Sequence, residues 1–218
     1  MNEEDVLEKL RKKGFSLEIE VYEELEKQGW NVIAQDYYLD QDEGKARTVD
    51  LKATKRFDIK TSFGKNLLFD FFHLTLVVEC KKSDNPLIFY MAKKGRLFED
   101  FASVGIVKNE VHPKASLSML DASTKFLSKS HYYTLSQPKV AVNWCVLEGQ
   151  DYFFEAINQV LKALVFEREG TQRFMRKEPL YALMLYYPVI VFEGDMFGYE
   201  SGEVSRTRYV QCECHGIS

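Results

Sequence analysis

Four cysteines, five prolines and four histidines are few for 218 residues, and each scarcity removes a class of explanation. A chain of this length can bury a core without covalent staples, and its first fourteen residues carry charges of both signs with no apolar run. No secretory or transit signal is read there, so the cysteines are expected as reduced thiols in a cytoplasmic protein. The scattered prolines and the absence of repeats or low-complexity runs mark no linker, and a single domain over residues 1–218 is expected. The histidines, His73, His112, His131 and His215, stand far apart and lack metal-ligand spacing. Cys212, Cys214 and His215 resemble half of a zinc site without its other half. The longest apolar stretch, from Leu180 to Phe192, is too short and too rich in tyrosine to span a bilayer, so no membrane partner is expected. No phosphate-binding Gly-x-x-x-x-Gly-Lys loop and no Gly-x-Gly-x-x-Gly turn is present, which removes ATP-driven motors and dinucleotide enzymes.

What the chain does have is an uneven charge distribution. The net charge is −4, yet residues 45–65 hold seven Lys or Arg against two Asp or Glu, whereas residues 1–43 hold five against thirteen. A local basic excess suits phosphates, and Arg47, Lys52, Lys55, Arg56 and, further on, Lys82 are the candidate phosphate contacts.

Periodicity supplies the elements. Leu17, Val21 and Leu25 recur at helical spacing over Ser16–Gln28, with Ser16 as the expected cap and Gly29 as the stop. Strands are expected at Trp30–Leu39, Arg47–Phe57 and Phe71–Cys80, the last apolar enough for the centre of a sheet. In the second strand Val49, Leu51 and Ala53 are expected on one face, with Thr48, Asp50 and Lys52 on the other. Residues 58–70 read as a loop or basic hairpin tip. An insertion of about 87–150 follows, with a short helix near Leu97–Phe101 and a strand at Lys139–Leu147. A helix over Tyr152–Phe166, a strand over Tyr181–Phe192 and a weaker strand over Arg206–Cys214 close the chain at about 151–214.

The chemistry-bearing residues sit at the ends of these elements. In LVVECKKS the two-residue strand period puts Glu79 and Lys81 on one face and turns Cys80 into the core. A lysine leaving a core strand needs a charge to balance it, and a carboxylate plus a substrate phosphate would do that. Asp50 can join Glu79 if the second and third strands pair as a hairpin, and Glu18 can lean over from the first helix. Divalent-cation hydrolysis of a phosphodiester needs such carboxylates as hard ligands. Gln159, which could face the same edge, is expected on a solvated helix face. Tyr132, Tyr133, Tyr186 and Tyr187 could stack on bases, although strand aromatics are usually core. Cys80 and Cys145, inside apolar strands, make poor nucleophiles.

The run Gly14, Phe15, Ser16, Leu17, Glu18, then Gly29 and Trp30, then RTVDL around Asp50, then VVECKKS around Glu79 resembles the PD-(D/E)xK, restriction-endonuclease-like superfamily, particularly its Mrr-like branch. The resemblance covers roughly residues 14–90, with core motifs in that span. It implies an α/β fold with a central mixed sheet of four or more strands flanked by helices, and Mg²⁺-dependent hydrolysis of DNA, with Mn²⁺ as a substitute. It further implies that Asp50 and Glu79 bind the metal and that Glu18 contacts it or its water shell. Lys81 then positions or activates the attacking water, and the products carry 5′-phosphate and 3′-hydroxyl ends. Two departures stand out: Val49 occupies the signature proline's place, and residues 58–70 lengthen the connection between strands. A catalytically inactive nucleic-acid-binding or scaffold domain of the same fold is the alternative. A homodimer, a partner protein, the 87–150 insertion or DNA structure is the expected source of specificity.

Overall fold

Helix α1 (Phe15–Lys27) stops where a left-handed residue is cheapest. Gly29 stands at φ 78°, its N–H donates to the Glu26 carbonyl (2.8 Å), and the Trp30 N–H donates to the Leu25 carbonyl (3.1 Å). Together these satisfy the orphan carbonyls of the last turn. The helix begins at Phe15, so Ser16 lies in its first turn instead of capping it. The structure, a computed structural model, describes residues 2–6, 15–58, 71–93, 139–149, 151–177 and 182–208. The expected helix at Leu97–Phe101, most of the 58–70 connection, Tyr132, Tyr133, Cys212, Cys214 and His215 lie outside them.

The chain is a mixed α/β protein whose described residues divide into two compact units. In the first, α1 is followed by β1 (Asn31–Asp40), β2 (Lys45–Asp58), β3 (Phe71–Lys82), α2 (Tyr152–Lys177) and β6 (Ala182–Glu193), the two intervening strands belonging to the other unit. The sheet order is β1-β2-β3-β6, antiparallel through β3 and parallel between β3 and β6. The apolar β3 is thus central, as its composition implies. Helix α2 packs on the sheet through Val160 and Ala163, which meet Tyr38, Val49 and Val77, with Leu161, Leu164, Phe166 and Ile190 around them. Each such large apolar side chain contributes about 1.5–3 kcal/mol on burial.

Helix α2 runs eleven residues past the expected end at Phe166. The apolar stripe thins there, but Glu167, Arg168 and Glu169 are good helix formers, and Glu167 is tied to the sheet by Lys52. An acidic turn, residues 41–44, joins β1 and β2 and is fastened to α2. Asp40, nearly fully buried, accepts from Lys162 on α2 (3.0 Å) and from Arg47 (3.1 Å). The hydrogen bond from Lys162 holds the Asp40 carboxyl below its ordinary range.

The second unit is a four-stranded mixed sheet, order β5-β4-β7-β8, from β4 (Leu87–Lys93), β5 (Lys139–Val146), β7 (Met196–Glu200) and β8 (Glu203–Arg206). The strands therefore fall into two sheets, where a single central sheet was expected. The insertion supplies β4 and β5. The expected strand at Arg206–Cys214 lies outside the described residues beyond Arg208; ahead of it stands a β7–β8 hairpin that was not expected, whose Ser201 (φ 52°) and Gly202 (φ 91°) give the two-residue turn with both φ positive that tight hairpins favour. Leu87, Phe89 and Ala141 form its buried side, and Tyr90 and Tyr199 meet edge-on with ring centroids 5.6 Å apart.

Candidate functional site: a carboxylate and lysine centre

The alternation of β2 slips at Asp50. Val49 packs with Val77 against α2, whereas Leu51 pairs with Val78, which alternates to the opposite face. Residues two apart in a regular strand share a face, so Val49 and Leu51 are on one face only in an unbroken strand. Here the expected grouping of Val49 with Leu51 and Ala53 is corrected, and Lys52, paired with Val77, lies on the α2 face. The pairing of β1 with β2 skips one position, Gln35 opposite Asp50, and Gln35 stands at φ 51°. A left-handed conformation at a residue with a long side chain costs roughly 1–2 kcal/mol.

The slip places Asp50 where the β2–β3 ladder ends. Its Oδ2 accepts the Cys80 backbone N–H at 2.7 Å, so the carboxylate takes over a ladder bond and is held beside Glu79. Glu79 is 1% exposed, and its Oε1 has no hydrogen-bond partner among the described residues, while its Oε2 meets Lys81 Nζ at 3.0 Å. Burial, then the neighbouring Asp50 charge, push the Glu79 carboxyl up to about 7 against the pull of Lys81. Glu18 also joins the set. Partial burial and the Asp50 charge raise its carboxyl above the ordinary range, while a hydrogen bond from Gln35 Nε2 (3.1 Å) and the Lys81 charge lower it.

Lys81, 25% exposed, donates its second bond to Gln159 Oε1 on α2 at 3.4 Å. Gln159 therefore faces this centre, and the expectation of a solvated helix face is corrected. The signal was present in the sequence, since Gln159 lies three positions after Ala156 and four before Ala163, and both of these are buried. Gln35 was missed altogether, because nothing in NVIAQDYYL announces a left-handed residue. Burial, ahead of the charges of Asp50, Glu18 and Glu79, pushes the Cys80 thiol up to about 12, which leaves it a poor nucleophile at neutral pH.

The expected DNA contacts have separate fates. Lys52, 16% exposed, pairs with Asp36 and with Glu167 (3.1 Å), binding β1, β2 and α2 together. Arg47 is paired with Asp40 and Glu43. Lys55 donates to the Gln28 carbonyl at the end of α1, with its ammonium over the Trp30 and Phe57 rings. The Lys52 and Arg47 charges are thus compensated by carboxylates of the chain, and the Lys55 ammonium is held by a carbonyl and two ring faces. Arg56 is exposed on β2, opposite His73 in β3. Lys82 pairs with Glu193 at the surface, an arrangement of small net worth that a phosphate can displace. Tyr186 is buried and Tyr187 half-buried.

Among the described residues no group of three or more His, Cys, Asp or Glu side chains is arranged to hold a metal ion as it stands. Mg²⁺ asks for less, since it keeps several waters and commonly takes only one or two carboxylates. The unbonded buried oxygen of Glu79, facing a second carboxylate that opposes its ionisation, is a donor set that fits a hard cation. No described helix is long and apolar enough to cross a membrane. Fold and centre together define an α/β protein with a buried, lysine-paired carboxylate cluster. Against family models, curated proteins and solved structures the chain finds no match.

Proposed function

We propose that the chain is a nuclease that hydrolyses DNA phosphodiester bonds with a divalent cation, Mg²⁺ or Mn²⁺, on a restriction-endonuclease-like core. The observation that carries the reading is Glu79: a buried carboxylate with one oxygen unbonded, Lys81 on the other and Asp50 alongside. The order α1, β1, β2, β3, α2, β6 supports it, with three antiparallel strands and a fourth parallel to the third.

Asp50 and Glu79 would hold the cation, with Glu18 toward its water shell. Such an ion, when bound, supplies positive charge at a phosphoryl oxygen and lowers the pKa of water. The remaining work belongs to the protein. The Cys80 amide fixes the orientation of Asp50. The buried Val77, two residues before Glu79 on the same face of β3, keeps bulk water from its inner side, which strengthens every charge interaction there. Lys81, steadied by Gln159, balances charge developing on the phosphoryl oxygens, an effect worth about 3–4 kcal/mol for one such donor. Lys82, whose partner Glu193 lies at the surface, and the exposed Arg56 would meet flanking phosphates.

Supercoiled plasmid tests the proposal directly. Wild type should nick it with Mg²⁺ or Mn²⁺ and stop on adding EDTA. Lys81→Ala should lose about 10²–10³-fold in rate with an unchanged circular dichroism spectrum. Absence of metal-dependent cutting by wild type on duplex, single-stranded and branched DNA would refute the proposal in favour of an inactive nucleic-acid-binding domain.

A further inference from the structure

Gln35 enters the centre only through its hydrogen bond to Glu18, and three features converge on it. It adopts a left-handed backbone (φ 51°) in the middle of an otherwise extended strand, a conformation that glycine or asparagine would take at far lower strain. The β1–β2 pairing skips Gln35 together with the residue opposite, Asp50. Its side-chain amide then donates to Glu18 Oε2 at 3.1 Å, joining β1 to α1 across seventeen residues.

From this geometry we infer that Gln35 is a positioning residue, held in a bent backbone so that its amide keeps the Glu18 carboxylate beside Asp50 and Lys81. The inference rests on the nuclease reading above. Glu18 and Asp50 carry like charges whose repulsion disfavours their approach. A neutral donor on the strand next to Asp50 opposes that repulsion without adding a charge that would compete with a cation. Glutamine also reaches further than asparagine, which accounts for a residue with good reach and poor backbone fit at this position. The paired irregularity thus serves two side chains at once: it turns Asp50 to the Cys80 amide and Gln35 to Glu18.

Two variants separate side chain from backbone. Gln35→Ala removes the amide and keeps the bend unfavourable, whereas Gln35→Gly removes the amide and accepts the bend. Both should lower kcat by about tenfold, a loss of one charge-assisted hydrogen bond, with KM for plasmid unchanged. Gln35→Gly should melt above Gln35→Ala. In EDTA, the melting-temperature shifts of Gln35→Ala and Glu18→Ala should be non-additive in the double variant, because each single change already removes the shared bond. Wild-type kcat in both Gln35 variants, or additive shifts, overturns the inference. If wild type does not cut DNA, the nuclease reading fails by itself, and additivity of the shifts in EDTA then decides the Gln35–Glu18 coupling alone.

Discussion

Replacing Glu79 with glutamine should make the metal-free protein more stable above neutral pH while removing its activity. The Glu79 carboxyl is raised from 4.5 to about 7, first by burial and then by the Asp50 charge. Below pH 4.5 the group is protonated in both folded and unfolded chains and favours neither. Between 4.5 and 7 the unfolded chain releases its proton while the folded chain retains it, so stability falls as pH rises, and the loss is complete above about 7. At 1.36 kcal/mol per unit the difference amounts to about 3 kcal/mol. Glutamine has no proton to release, its carbonyl can keep the bond from Lys81, and its amide can donate toward Asp50. The Glu79→Gln protein should therefore match wild type near pH 4.5 and exceed it by about 3 kcal/mol at pH 8, roughly 6–12 °C in melting temperature for a chain of this size. Urea titration or calorimetry in EDTA at pH 4.5, 6 and 8 measures the gap, and the titrating groups remote from Glu79 cancel between the two proteins. Adding Mg²⁺ should raise the wild-type midpoint by binding the folded state, and leave the variant's midpoint where it was. A variant less stable than wild type at pH 8, or a gap that does not change with pH, would refute the account of Glu79.

Gln159→Ala should free the Lys81 ammonium from α2 and lower kcat by about tenfold, with little change in DNA affinity by filter binding. Lys55→Ala should destabilise the protein by about 1 kcal/mol in urea titration, through loss of the carbonyl bond at the end of α1, and leave DNA affinity unchanged. Arg56→Ala should instead weaken DNA binding for all sequences alike and reduce the slope of log affinity against log salt by about one. An unchanged slope would remove Arg56 from the interface.

Local pattern made much of the first unit legible. The four-residue spacing of Leu17, Val21 and Leu25, with Gly29 at its end, marks α1, because helix periodicity and a left-handed stop are properties of neighbours in sequence. The apolar run of β3 signals a central strand, and the two-residue period puts Glu79 and Lys81 on one face. The β7–β8 hairpin escaped although Ser201 and Gly202 sit between its short strands, since each strand is too brief to present a period. The extension of α2 escaped because its last turns carry charge in place of an apolar stripe.

By itself the sequence determined which elements bear Glu18, Asp50, Glu79 and Lys81, and that Glu79 and Lys81 share a face, since side-chain direction along a regular helix or strand follows from covalent geometry. Only the tertiary structure decided what those residues meet. The slip at Gln35 and Asp50, the unbonded oxygen of Glu79, the bond from Lys81 to Gln159 and the internal pairing of Lys52 each depend on atoms brought together from distant segments. Charge compensation and desolvation act through space within a few ångströms, and no spacing along the chain encodes those distances.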